Sequence, residues 1–259
     1  NIRQGILKKQ DFQMLKKRLH LEFDPMRHFG CVPTKLFPLR AKADQVNNVM
    51  YEKLDGNNFT FEIIKKTDNI NLENGKPIPR ELYEKCKRLS QKDIDLEFTS
   101  LINNVPCQPI LHLKKGAIVM CTINLDMDNG ICNGSQGVIT QIVEANNQIV
   151  PYVRFSNGIE KPILPHFWQC EEYPTISVGQ YPLILAWALT IHKIQGATLD
   201  LAEIDVGNSV FEYGQTYVAL SRVKSLDGLY LSAFEPEKIQ TNPIVIEFYK
   251  SIGSLEEIQ

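Results

Sequence analysis

Apolar spacing divides the chain into a helix-rich start, a strand-rich middle and an alternating end. Gln10 to Leu19 carries Phe12, Leu15 and Leu19 at helical intervals and predicts a basic helix. Lys35–Pro38 reads as a short extended piece. Ala41 to Leu54 predicts an amphipathic helix with Val46, Val49, Met50 and Leu54 on one face, and Gly56 supplies a left-handed stop. Residues 55–105 show no clear period and are rich in Asn, Lys and Asp. They read as a surface excursion with one small helix near Arg80–Leu89.

From Leu111 the period shortens. Ala117–Cys121, Gly137–Val143 and Tyr152–Phe155 read as strands, with turns at Ala145–Gln148 and Ser156–Gly158. Short strands at this spacing predict a small β-barrel over residues 128–172. Beyond Tyr173, strands at 182–189, 202–206 and 228–233 alternate with helical segments near 191–195, 212–221 and 242–251. The expected fold is therefore α/β, a mostly parallel sheet flanked by helices over 1–127 and 173–259, interrupted by the small β module.

Composition narrows the class. With 43% hydrophobic and 22% charged residues, the 259-residue chain has an ordinary globular balance. Its longest apolar run, Pro182–Leu189, reads as a buried central strand and falls far short of the roughly 20 residues that span a bilayer, so no membrane partner is expected. Six cysteines without a C-x-x-C pair argue against a metal site and for reduced thiols inside a cell. The chain opens at Asn1 directly into a helix-like pattern without a secretory signal, which reads as a start inside a longer polypeptide. A net charge of −2 gives no overall basic footprint, yet residues 1–40 hold nine Lys/Arg against three Asp/Glu. That face either meets phosphates or is a solvated helix surface.

Two segments carry the candidate chemistry. In Ala186–Asp200 a buried strand runs into a polar turn holding Thr190, His192, Lys193, Gln195 and Gly196. Ligands of open α/β sheets bind beyond the carboxyl ends of strands. There Thr190 and His192 could donate to phosphate, Lys193 brings charge and Gly196 permits close backbone approach. A capping Thr and a surface Lys would explain single residues equally well. In Gly214–Leu229 a helix ends near Arg222 and turns into a strand, a position from which a guanidinium points into a cleft or into solvent.

Taken whole, Thr190-Ile-His-Lys-Ile-Gln-Gly196 resembles the fifth helicase motif of the Pif/RecD family, T-x-H-K-x-Q-G. Tyr217-Val-Ala-Leu-Ser-Arg222 resembles the sixth, Y-V-A-L-S-R. Thr34–Arg40 with Asp44–Asn47 is similar to the fourth-motif region. Leu113–Met120, Asn124-Leu125 and Cys132–Val138 are similar to the entry into that family's inserted barrel, where Asn124 either touches nucleic acid or closes a turn. The resemblance runs from Ile2 to about Tyr249 and is poor over 55–105.

It implies a second RecA-like motor domain with an inserted SH3-like barrel, in an ATP-dependent helicase moving on single-stranded DNA, by resemblance 5′ to 3′. Arg222 would be the catalytic arginine at the γ-phosphate. Gln195 and Gly196 would lie near ATP, and Arg40, Asn124, Thr190, His192 and Lys193 near DNA. The sequence has no G-x-x-x-x-G-K-[ST] loop and no Asp-Glu pair after a hydrophobic strand to hold Mg²⁺. ATP and Mg²⁺ would be held mainly by a preceding N-terminal RecA-like domain of a longer parent, and this chain alone would be inactive. The rival expectation is a non-catalytic nucleic-acid-binding module or a degenerate helicase scaffold.

Overall fold

The structure, a computed structural model, describes residues 2–24, 28–145, 148–207 and 210–256. In chain order come α1 (Lys9–Lys16), β1 (Thr34–Phe37), α2 (Arg40–Glu52), β2 (Phe59–Glu62), β3 (Ile64–Lys66), α3 (Arg80–Lys87) and α4 (Gln91–Asn104). The strand-rich middle holds β4 (Ile110–Leu113), β5 (Ile118–Cys121), β6 (Gln136–Ala145), β7 (Gln148–Phe155), β8 (Glu160–Pro162), β9 (His166–Gln169) and β10 (Ser177–Gln180). Then follow β11 (Leu183–Leu185), β12 (Ala188–Thr190), β13 (Ala202–Val206), α5 (Gln215–Leu220), β14 (Leu229–Phe234) and α6 (Pro243–Glu256).

A parallel sheet of order β12-β1-β13-β14 forms the α/β layer. Its buried residues, such as Leu36, Leu189, Ile204 and Leu231, come from apolar runs, as expected of parallel strands covered on both faces. At one edge, α2 closes the exposed backbone of β12. The Asn47 carboxamide donates to the Ala188 carbonyl at 2.7 Å and accepts from the Ala188 N–H at 2.9 Å, replacing the missing strand.

The antiparallel sheet has order β11-β5-β6-β7-β8 and so reaches beyond 128–172 on both sides, to Ile118–Cys121 and Leu183–Leu185. The run read as one central strand over 182–189 is two strands in different sheets: Leu183–Leu185 pairs antiparallel with β5, and Ala188–Thr190 pairs parallel with β1. Continuous apolarity reports burial in both partners and carries no sign of the change between them. The tip of the turn expected at Ala145–Gln148, residues 146–147, lies outside the described residues.

Residues 55–105 hold more structure than the sequence suggested. Beside the small helix, found at Arg80–Lys87, stands α4, opened by a capping box in which Ser90 Oγ accepts from the Asp93 N–H and Asp93 accepts from the Ser90 N–H. Its Phe98 packs with Cys170, Ile176 and Val178 into a second small core over the sheet β3-β10-β9. The helix expected near 191–195 is instead a chain of turns.

One buried polar clasp joins the two main sheets. Gln136 and Thr34 are wholly buried. The Gln136 Nε2 donates to Thr34 Oγ1 at 2.6 Å and to the Leu201 carbonyl at 2.8 Å, while its Oε1 accepts from the Leu201 N–H at 2.9 Å. Thr34 Oγ1 in turn donates to the Ala186 carbonyl at 2.7 Å. Every polar atom of the glutamine head is matched, so removing the head strands partners with no route to water. The Leu201 carbonyl also accepts from the Thr34 N–H at 3.2 Å, so the backbone group left unpaired is the Leu201 N–H. Gln136→Leu should therefore lower unfolding stability by about 1–3 kcal/mol, the cost of one buried unpaired donor. Chemical denaturation checks this; a loss near zero would show that the clasp contributes nothing.

Candidate nucleotide and nucleic-acid site

The turn after β12 is organised by a period of three. Ile191, Ile194 and Ala197 are buried, while His192, Lys193, Gln195 and Gly196 between them are exposed. Hydrogen bonds from Lys193 N–H to the Thr190 carbonyl (3.0 Å), Gln195 N–H to the His192 carbonyl (3.1 Å) and Ala197 N–H to the Ile194 carbonyl (3.0 Å) hold it as successive turns. Thr190 Oγ1 also accepts from the Lys193 N–H at 3.2 Å. Gly196 has φ +88° with nothing within 4 Å of the place a Cβ would take, so its freedom serves backbone conformation and an open surface. Apolar residues thus anchor the turn and its polar residues face out.

Arg222 stands on the far side of the same turn. It follows the short α5, which begins after Gly214 at φ +73°. Its Nε donates to the Val218 carbonyl at 3.3 Å, its Nη2 to Ser221 Oγ at 3.1 Å and its Nη1 to the Ala197 carbonyl at 3.5 Å. No ion pair engages it among the described residues, and it is half-buried. The backbone fixes the approach: Leu199 N–H donates to the Arg222 carbonyl at 2.8 Å and Lys224 N–H to the Leu199 carbonyl at 3.0 Å. A guanidinium held by neutral acceptors keeps its full charge for an anion. Arg222 is thereby brought against the turn at Ala197, the residue after Gly196.

Arg40 and Lys193 meet at the carboxyl ends of β1 and β12, where Phe37 pairs with Thr190. Arg40 opens α2 and bonds Asp44 at 3.3 Å on an exposed surface. Lys193 lies beside Arg40, Asp44 and Cys107, and its ammonium is held below the ordinary lysine range, by burial first and by the Arg40 charge second. The residue is exposed as a whole, so the depression belongs to the ammonium end, packed towards Cys107. His192 points elsewhere, onto the groove that also contains Gln195, and pairs with Glu212 at 3.5 Å. Asn124 is exposed, and its Oδ1 accepts from the Asn133 N–H at 3.1 Å, the turn-closing alternative. That turn reaches the motif loop: a Cβ on Gly134 would stand 2.3 Å from the Thr198 carbonyl oxygen.

Sequence reasoning missed Glu212, the partner of His192, and Gln215, buried at the start of α5 beside the same groove. A polar side chain one residue after a glycine-capped start was the available signal for Gln215.

Comparison with known proteins finds similar chains among the DNA helicases. A family model described as the 2B domain of the DNA helicase Pif1 matches residues 97–142, from within α4 to within β6. The chain is 42% identical over 160 residues to the ATP-dependent DNA helicase PIF1 of Xenopus laevis, an alignment covering 61% of this chain and 25% of that protein. The crystal structure of the Pif1 helicase from Candida albicans matches with 28% identity and a TM-score of 0.61, over 98% of this chain and 56% of that one. The chain belongs with the Pif1-type DNA helicases. A Pif1 helicase from Bacteroides, solved with ADP-AlF3 and single-stranded DNA, matches with 25% identity and a TM-score of 0.54, over 98% of this chain and 52% of that one. The Pif1-type chain described here thus spans about a quarter of the frog relative and about half of these solved chains. Its parallel sheet is the RecA-like layer of these neighbours.

The Pif1-type turn carries a stability signature at Lys193. A lysine whose folded pKa is depressed binds its proton less tightly folded than unfolded. Its charge therefore costs stability at neutral pH, and the cost fades as pH rises towards the ordinary lysine value. Lys193→Met should leave the denaturation midpoint at pH 7 unchanged or raised. A clear fall in the midpoint would show that the lysine is there for the fold.

Proposed function

We propose that this chain is the second motor wall of an ATP-dependent DNA helicase that translocates on single-stranded DNA, 5′ to 3′, and unwinds duplex. The observation that carries the reading is the junction at Ala197, where the turn of Gln195 and Gly196 receives the Arg222 guanidinium. Further support comes from Arg40 and Lys193, two cations side by side at the carboxyl ends of β1 and β12.

The residues fit one side of a triphosphate. Arg222, free of carboxylate partners among the described residues, suits the far phosphate, and Gly196 leaves room for close approach. Nothing comparable offers itself for Mg²⁺: no group of three His, Cys, Asp or Glu gathers among the described residues. In this reading ATP and Mg²⁺ are held mainly by an N-terminal RecA-like domain of the same parent, and this chain alone is inactive. ATP, when bound, supplies the phosphoryl group. Arg222 neutralises charge that develops there, while Arg40, Lys193 and Thr190 hold backbone phosphates of the strand. His192 shares the Gln195 groove, so it links the two sites. Burial pushes the Cys31 and Cys107 thiols up to about 12 and about 11, which leaves these two poor nucleophiles and suits the intracellular setting of this reading.

In a protein that joins this chain to its phosphate-holding domain, Arg222→Ala should reduce DNA-stimulated ATP hydrolysis by about 10³-fold or more, the size measured for arginine fingers, with single-strand binding nearly intact. Turnover above about a tenth of wild type, set against that range, would remove Arg222 from the phosphate and favour a non-catalytic binding module or scaffold.

A further inference from the structure

Helix α2, which carries Arg40 at its amino end, is lightly seated. Ala43 is its one buried residue, and its first turn has no side-chain cap. Two polar ties fix its direction instead. At its middle, Asn47 bonds both backbone groups of Ala188, at 2.7 and 2.9 Å. At its carboxyl end, the Lys114 ammonium donates to the Leu54 carbonyl at 3.1 Å and to the Tyr51 carbonyl at 3.5 Å, and stands 4.8 Å from the centre of the Tyr51 ring. The last turn of α2 holds no basic residue. Lys114 therefore brings from another element the cation that a helix carboxyl end favours.

Lys114 belongs to the turn between β4 and β5. That turn is fastened to the antiparallel sheet, where the Gly116 N–H donates to the Ile139 carbonyl at 2.8 Å. The contact with α2 is close, since a Cβ on Gly116 would stand 3.3 Å from Leu54 Cδ2. Asn47 lies midway between Arg40 and Leu54. At about 1.5 Å per residue those ends are roughly 20 Å apart, and a rigid helix pinned at its middle moves them in opposite directions. We propose that Lys114 is a positioning residue that sets, through α2, the distance between the Arg40 and Lys193 cations and ties it to the antiparallel sheet. Its use rests on the motor reading, in which that sheet thereby regulates the strand-binding edge. The lever itself is a matter of geometry and stands without DNA.

The Lys193 ammonium reports the distance. Burial and then the Arg40 charge hold its pKa down, while Cys107 and Asp44 act the other way. Lysine side-chain NMR of the 259-residue chain, titrated without DNA, follows it, with the Lys193 signal assigned by its loss in Lys193→Arg. Arg40→Gln should give the full upward shift. Lys114→Met should move the Lys193 pKa part of the way in the same direction, because the freed helix lets two like charges separate. Lys114→Arg, whose guanidinium can donate to the same carbonyls, should restore the wild-type titration. Lys115→Met removes the same charge from an exposed neighbour and should change nothing, because charges roughly 20 Å apart are screened by salt. An unchanged Lys193 pKa in Lys114→Met, or an equal rise in Lys115→Met, overturns the proposal. If Lys114→Met does not fold, Lys114→Gln is read by the same criterion. Oligothymidylate affinity is measured separately: no loss in Arg40→Gln removes Arg40 from the strand, while a Lys193 shift in Lys114→Met still upholds the lever.

Discussion

The head of Gln136 is the point on which the two sheets turn. It reaches from the antiparallel sheet into the parallel one and closes hydrogen bonds to Thr34 and to both backbone groups of Leu201. Thr34 opens β1, and Leu201 immediately precedes β13. The clasp therefore sets where the two central parallel strands begin. The far end of β1 reaches the candidate site at Phe37, paired with Thr190 of β12, and Arg222 is fastened to Leu199, two residues before the clasp at Leu201. Around the clasp one apolar core takes residues from both sheets, among them Leu36 and Ile204 from the parallel layer and Ile139, Val153 and Leu183 from the antiparallel one. Apolar contact is non-directional and leaves the sheets free to slide. A saturated polar clasp at its centre removes that freedom.

From this frame the turn at 190–197 inherits two addresses. Its buried residues fasten it to the core, and its outward residues divide between the cation pair with Arg40 and the groove beside α5. A single short segment thus touches both the proposed strand-binding edge and the proposed nucleotide side. Asp44 holds Arg40 through an exposed ion pair and Glu212 contacts exposed His192 at 3.5 Å, and exposed contacts of this kind are weak enough to be exchanged for phosphate.

Much of this was legible from sequence. The parallel strands read at 202–206 and 228–233, the second found at Leu229–Phe234, helix α2 and the two chemical segments follow from periodicity and motif spacing. What was hidden has physical reasons. The 182–189 run changes sheets at its middle, and apolarity is blind to strand direction. The period-three burial of Ile191, Ile194 and Ala197 looks helical over so short a stretch, until Gly196 turns left-handed. Helix α4 announces itself only through Ser90-x-x-Asp93, since its apolar face covers a small separate core. The clasp at Gln136 was illegible because a glutamine's partners are set by the fold and leave no local pattern.

The central claim is that this chain supplies one wall of a nucleotide site and none of its phosphate cradle. ATP hydrolysis by the purified 259-residue chain, measured with and without single-stranded DNA, tests it most directly. The account predicts no turnover above background in either condition, with DNA binding that is weak and steeply salt-dependent. DNA-stimulated hydrolysis by this chain alone would contradict it, because a complete site would then lie within these residues.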